Sequence, residues 1–266
     1  MNDTTIQRRD FLKLIAVSVG SAVVLETVTK AQLVRASSTV SDTEGSEYSW
    51  VMVIDQEKCN GCGHCVQACR ASNDIPPNIS WIKIYKVEEI GDKTVYLPVP
   101  CQHCEHAPCV SVCPVGASYY RDDGIVMMDY DLCIGCRYCI PACPYQARSF
   151  NWEAFEGDNP AVPAWGEPDE KVEPRPRGVV EKCSFCYQKI DRGLDASLTP
   201  GADPGATPAC VAACPTGARH FGNINDPDSN VSKILANIPS YRLREELGTG
   251  PRVYYLPPGR GSQEVT

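Results

Sequence analysis

The 266-residue chain has no glycine-rich phosphate loop, no G-x-S-x-G elbow and no HExxH pair, which removes the usual layouts of nucleotide hydrolases, serine hydrolases and zinc proteases. It is short of basic charge, with 25 Lys+Arg against 33 Asp+Glu and a net charge of −8. Removing residues 1–36 takes away five basic and three acidic residues, leaving 20 against 30, or −10. That balance argues against nucleic acid, which selects basic faces. Beyond residue 37 there is no apolar run near the roughly 20 residues that a spanning helix needs, so the mature chain is expected to be soluble or peripheral, without a transmembrane helix of its own.

What the chain has is cysteine. Sixteen fall into four groups of four with none left over: Cys59, Cys62, Cys65, Cys69; Cys101, Cys104, Cys109, Cys113; Cys133, Cys136, Cys139, Cys143; and Cys183, Cys186, Cys210, Cys214. The first and third groups have the spacing C-x2-C-x2-C-x3-C, the bacterial ferredoxin run. The second is stretched by two residues, and proline follows the last cysteine of three groups, at Pro114, Pro144 and Pro215.

The spacing has a physical reason. A cubane cluster needs thiolates converging on one small volume, and a short loop with a cysteine every third residue wraps three of them around it. Gly61, Gly63 and Gly135 supply the freedom such a loop requires. Three further residues place the fourth cysteine about one helical turn away, where it can serve a neighbouring cluster, so clusters come in pairs. Proline directly after that cysteine has no N–H to donate and ends the turn.

Disulfides and zinc are the competing readings. An even number of cysteines in a chain that looks exported commonly means disulfides. However, a disulfide framework has no reason to repeat one short periodicity, and cysteines three apart on a tight loop rarely bridge without strain. Zinc prefers two well-separated C-x2-C pairs, and the fourth group, taken alone, could pass for such a site.

Gln7-Arg8-Arg9-Asp10-Phe11-Leu12-Lys13 precedes the apolar stretch Leu14 to Leu25, a layout resembling a twin-arginine export signal over residues 1–36. Cleavage is expected after Ala36 or Ala31. Export of an already folded chain suits the cysteines, because clusters are assembled in a reducing compartment. The expected location is the periplasm or outer face of the cytoplasmic membrane.

Trp50 to Asp55 reads as a strand leading into the first group, and Ile125 to Asp129 as its counterpart before the third. Residues 81–89 and 94–99 read as a hairpin around Gly91-Asp92. The expected fold is α+β with two ferredoxin-like modules and long loop insertions. Residues 48–99 with 179–225 would form the first module and 100–150 the second, followed by a Pro-rich insertion at 151–178 and a C-terminal extension at 226–266. Glu153 to Gly178 and Asp191 to Ala209 read as surface loops, either docking a partner or merely tolerated. Ser229 to Leu247 has helical character interrupted near Pro239, and Arg252 to Leu256 reads as a last strand. With so much chain committed to cluster loops, the apo form should be poorly folded.

From Arg8-Arg9 through the four cysteine groups to Leu247-Gly248-Thr249-Gly250-Pro251-Arg252-Val253-Tyr254-Tyr255-Leu256, the chain resembles the four-cluster iron–sulfur subunit of the dimethyl sulfoxide reductase superfamily. Within it the chain is most similar to the exported type of polysulfide, tetrathionate and formate-dependent nitrite reductase systems. The resemblance implies four [4Fe–4S] clusters and electron transfer without catalysis by this chain. The partners it implies are an integral membrane quinone-interacting subunit and a catalytic subunit with molybdopterin. An alternative is a molybdenum-free, quinone-linked membrane complex such as the one linked to dissimilatory sulfite reduction. The family pattern implies the sets Cys59, Cys62, Cys65, Cys214; Cys69, Cys183, Cys186, Cys210; Cys101, Cys104, Cys109, Cys143; and Cys113, Cys133, Cys136, Cys139. Pairing first group with second and third with fourth would satisfy the same spacing.

With four thiolates already in each group, His64, His103, His106 and His220 are read as hydrogen-bonding neighbours or surface residues. Tyr119, Tyr120, Phe150 and Trp152 are read first as packing. Arg70, where the other groups have proline, marks either a different helix exit or an electropositive residue near a cluster.

Overall fold

A computed structural model describes residues 46–90, 93–155, 157–170 and 172–259. The expected export signal over residues 1–36 and the expected hairpin turn at Gly91-Asp92 lie outside the described residues. In chain order the described elements begin with β1 (Trp50–Asp55), α1 (His64–Ser72), β2 (Lys83–Ile90), β3 (Lys93–Val99), α2 (Pro108–Ser111), β4 (Ser118–Tyr120) and β5 (Val126–Met128). There follow β6 (Ser149–Phe150), α3 (Val162–Trp165), β7 (Val180–Glu181), α4 (Tyr187–Asp195), α5 (Ala209–Ala212), β8 (Arg219–Asn223), α6 (Asn230–Asn237), β9 (Tyr241–Arg242) and β10 (Val253–Leu256). The content is mixed α and β.

β1 is buried at all six positions because it lies inside a four-stranded sheet of order β8-β1-β10-β9. It runs antiparallel to β8 and parallel to β10. One face, with Trp50, Met52, Ile54, Phe221, Val253 and Tyr255, joins the core that also holds many of the cysteines. The other face, with Val51, Val53 and Leu256, packs on Val231, Ile234 and Ile238. Those three recur at helical spacing on α6 and just beyond it. Ser229 caps that helix by accepting the Ser232 N–H at 3.2 Å, and Pro239 follows its end. A second antiparallel pair, β4 with β5, stands between the second and third cysteine groups, as β1 with β8 stands beside the first and fourth.

The hairpin β2–β3 starts two residues later than expected. Trp81 instead turns inward, 5% exposed, and donates its indole N–H to Glu181 Oε2 at 3.0 Å. The register slips between Lys86 and Glu88, a bulge that adds twist to the ribbon.

Proline decides helix length around the cysteines. α2 and α5, each followed by a Cys-Pro step, have four residues, whereas α1, with Arg70 after Cys69, continues for nine. The stretches expected as surface loops are more built in than their composition implies. α4 occupies the start of the second one as far as Asp195. In the first, Asn159 donates to the Arg70 carbonyl at 3.1 Å and to Asp74 Oδ1 at 3.0 Å. Arg175 donates to the Asn73 and Asp74 carbonyls at 2.6 Å each.

Candidate metal centres

The cysteine loops are held open by glycine. Gly61 and Gly135 have φ of +71° and +69°, the left-handed region that side chains avoid. A Cβ on Gly61 would stand 2.6 Å from the Tyr96 ring, and one on Gly135 2.3 Å from the Gly178 carbonyl oxygen. Both loops therefore pass flush against neighbouring segments.

All sixteen cysteines are free of disulfides. Cys59, Cys62, Cys65 and Cys214 line one cavity beside Pro215 and Arg219. Cys101, Cys104, Cys109 and Cys143 line a second beside Pro144 and Arg148. Each cavity thus takes three cysteines from one group and the last from another, brought in on the turn that ends at a proline. Buried Cys69 interacts electrostatically with Cys186, Cys183 and Cys210. Cys139 interacts in the same way with Cys109 and Cys133. Cys136 is exposed on its loop, and Cys113 accepts the Ser118 N–H at 3.5 Å.

Donors surround the sulfurs. The Phe185 N–H points to Cys183 Sγ at 3.4 Å and the Ala218 N–H to Cys214 Sγ at 3.3 Å. Asn73 Nδ2 donates to Cys186 Sγ at 3.4 Å, and Arg148 Nη2 to Cys109 Sγ at 3.0 Å. Such donors favour thiolate over thiol. Burial works the other way: it pushes the thiols of Cys69, Cys104 and Cys183 up and that of Cys210 up to about 12. Without metal these groups hold their protons at neutral pH, and metal must displace them.

The donor set fits [4Fe–4S] clusters: sulfur ligands throughout, N–H groups aimed at sulfur, and buried guanidinium groups to balance negative charge.

The histidines take varied places. His103, fully buried, stacks on Phe185 with centroids 3.8 Å apart and accepts the Val126 N–H on Nδ1 at 3.1 Å. Burial foremost, then the nearby Lys182, Arg252 and Arg148, keeps it neutral. His64 packs edgewise on Trp165, and His220 meets Asn230 through Nδ1 at 3.2 Å. His106 is exposed. Among the aromatics, the Tyr120 hydroxyl accepts the Ala107 N–H at 2.6 Å. Tyr119 is partly exposed, and Trp152 is exposed against Phe150 and the Arg137 guanidinium. Residues that the sequence reading passed over include Asn73, Arg148, Arg219 and the buried Lys182, whose ammonium donates to the Val126 and Cys183 carbonyls. A signal for the two arginines was present, as Cys-Pro-x2-Ala-Arg at 143–148 and again at 214–219.

Residues 93–157 and 132–218 each match a family model described as a 4Fe-4S dicluster domain, and residues 50–71 match one described as a 4Fe-4S binding domain. The chain is an iron–sulfur protein. It is 44% identical over 221 residues to a Halobacterium salinarum protein named as a candidate iron–sulfur subunit of dimethyl sulfoxide reductase, covering 77% of this chain and 78% of that one. A polysulfide reductase component of Wolinella succinogenes is 38% identical over 80% of this chain and 96% of its own. The Hdr-like menaquinol oxidoreductase iron–sulfur subunit 1 of Archaeoglobus fulgidus is 38% identical over 94% and 97% respectively. The protein belongs to the family of iron–sulfur electron-transfer subunits of dimethyl-sulfoxide-reductase-type complexes, and is a non-catalytic, electron-carrying part of an oxidoreductase. No described helix is long and apolar enough to cross a membrane.

Proposed function

We propose that the chain holds four [4Fe–4S] clusters and relays single electrons between a quinone-reactive integral membrane subunit and a molybdopterin catalytic subunit. The observation that carries this reading is the pair of cavities, each lined by four cysteines drawn from two sequence groups. The clusters are held by Cys59, Cys62, Cys65, Cys214; Cys69, Cys183, Cys186, Cys210; Cys101, Cys104, Cys109, Cys143; and Cys113, Cys133, Cys136, Cys139. The electrostatic interaction of Cys69 with Cys183, Cys186 and Cys210 supports the second set, and that of Cys139 with Cys133 the last. Two ferredoxin-like modules follow from the same sets, each with its own antiparallel strand pair. The twin-arginine layout supports work at the outer face of the cytoplasmic membrane.

A bound [4Fe–4S] cluster supplies reversible one-electron chemistry. The residues of this chain do the rest. Cysteine loops fix where each cluster sits, the N–H groups on sulfur and the buried cations hold negative charge in a dry interior, and Trp50, Met52, Phe185 and Tyr255 keep water out.

Metal analysis of the complex captured anaerobically through this chain tests the reading: about sixteen irons per chain with molybdenum or tungsten is the expected result. The same iron without either metal favours a molybdenum-free quinone-linked complex, a second reading supported by the nearly end-to-end likeness to the menaquinol oxidoreductase subunit. Replacing Cys136 by Ser should abolish quinol-linked turnover; unchanged turnover would rule out an obligatory path through that cluster.

A further inference from the structure

The three Cys-Pro groups continue alike. Cys-Pro-x2-Ala is followed by Ser118, Arg148 and Arg219, each at or next to the start of a strand. The last two are buried cations, 4% and 5% exposed. Arg148 Nη2 donates to Cys109 Sγ at 3.0 Å and to Ser118 Oγ at 2.6 Å, and Nη1 lies 3.0 Å from Met128 Sδ. Arg219 repeats the arrangement, with Nη1 3.4 Å from Met52 Sδ and 3.8 Å from Cys210 Sγ. In both cases the methionine comes from the strand that precedes a cysteine group.

Each guanidinium faces cysteines of two cluster sites. Arg148 interacts electrostatically with Cys109 and Cys101 of one set and with Cys139 of another. Arg219 interacts with Cys210 of one set and with Cys65 and Cys214 of another, whose cavity it lines. Among the described residues no carboxylate forms an ion pair with either arginine. Arg148 Nε and Arg219 Nη2 are buried without a hydrogen-bond partner. A permanent cation buried without a counter-charge is strongly disfavoured, so its counter-charge is the thiolate-bound clusters themselves.

We propose that Arg148 and Arg219 are positioning residues, one per module, each sharing its charge between two adjacent clusters and raising the reduction potential of both together. The proposal rests on the four-cluster assignment above. A cation nearby favours the state with the added electron, whichever of the two clusters holds it, and the low-dielectric interior strengthens that effect. Because the guanidinium cannot lose its proton, the bias holds at any working pH. Ser118, the third member of the repeat, accepts from Arg148 rather than adding a second cation to its module.

The test is an EPR-monitored redox titration of the anaerobically purified complex with iron counted beside it. Arg148→Gln is expected to keep about sixteen irons per chain and to make two of the four clusters harder to reduce, each by about tenfold or more in equilibrium constant, about 59 mV for one electron. Arg219→Gln should move the other two. A shift in one cluster only, in none, or in the same pair for both variants overturns the proposal. Should Arg148→Gln lose iron, Arg148→Lys must keep it and hold both potentials within about threefold of the wild-type equilibrium constants. Iron loss in the lysine variant as well would show that shape, not charge, is what the site needs. A wild-type count well below sixteen irons would instead sink the four-cluster assignment on which the proposal stands.

Discussion

Replacing Arg175 by Met should loosen the whole region around the end of α1. The side chain is 3% exposed, and its Nε donates to Glu181 Oε2 at 3.2 Å, a carboxylate with no exposure at all. Its two terminal nitrogens hold the Asn73 and Asp74 carbonyls, and its guanidinium lies 5.3 Å from the Trp81 ring centre. One residue of the Pro-rich stretch therefore ties that stretch to α1, to Trp81 and to β7. Removing it leaves Glu181 buried with only the Trp81 N–H on its oxygen and strips two carbonyls of their donors. Breaking a buried pair from one side costs about 3–5 kcal/mol, most of it from the charge left behind. Unfolding with cluster loss is irreversible, so the readout is the rate at which the brown colour bleaches in fixed denaturant under anaerobic conditions. If the pair is already broken in the transition state, that cost corresponds to about 150- to 5,000-fold faster bleaching. Arg175→Met with Glu181→Gln should recover much of the loss, because the unpaired charge is gone. A single variant that bleaches less than about fivefold faster, or a double variant no better than the single, would refute the account of Glu181 as the source of the cost.

Two further substitutions probe the loops and the sheet. Gly135→Ala combines a positive φ with a Cβ 2.3 Å from a backbone oxygen, so the third cysteine loop must shift. Iron is expected to fall by about one cluster, about four atoms per chain, and an unchanged iron count would contradict it. His220 has its imidazole pKa lowered by burial and then by Lys58, against a smaller opposing effect of Asp55. The folded state then binds fewer protons than the unfolded one, so stability drops as pH falls below the ordinary value of about 6.5 toward the depressed folded value. His220→Gln should flatten the matching rise in anaerobic bleaching rate between about pH 7 and 5; an identical pH dependence would place the effect elsewhere.

The strongest local patterns were legible. The run Trp50 to Asp55 is a strand because nearly every residue is apolar or β-favouring, and the helix after Ser229 has its cap and its stop written around it. The cysteine spacing announced clusters at once. Partners across the sheet were not legible, since β1 pairs with strands near residues 220 and 255, and nothing in a local window states which distant strand will fill which edge. β4 is three residues long and acquires its strand character from pairing with β5. Composition misled most in Glu153 to Gly178. Proline and acidic residues average to a solvated loop, yet Asn159 and Arg175 are single buried anchors that no average reveals.

Arg70 shows how a departure from a repeat can carry structure rather than redox tuning. Its guanidinium is directed at the Ile79 carbonyl at 3.1 Å and the Pro77 carbonyl at 3.4 Å, so its charge is spent on the segment after the helix rather than aimed at a sulfur. Proline here would cost about 3 kcal/mol or more by removing a helical hydrogen bond and crowding the preceding turn. It would also end α1 before Asn73. That matters because Asn73 reaches Cys186 Sγ and accepts from Gln188, while the carbonyls of Asn73 and Asp74 receive Arg175. The other three groups need a short turn that delivers one cysteine and stops. The first needs a helix long enough to carry the polar residues that close the neighbouring sulfur site, and the absence of proline at this one position is what lets it form.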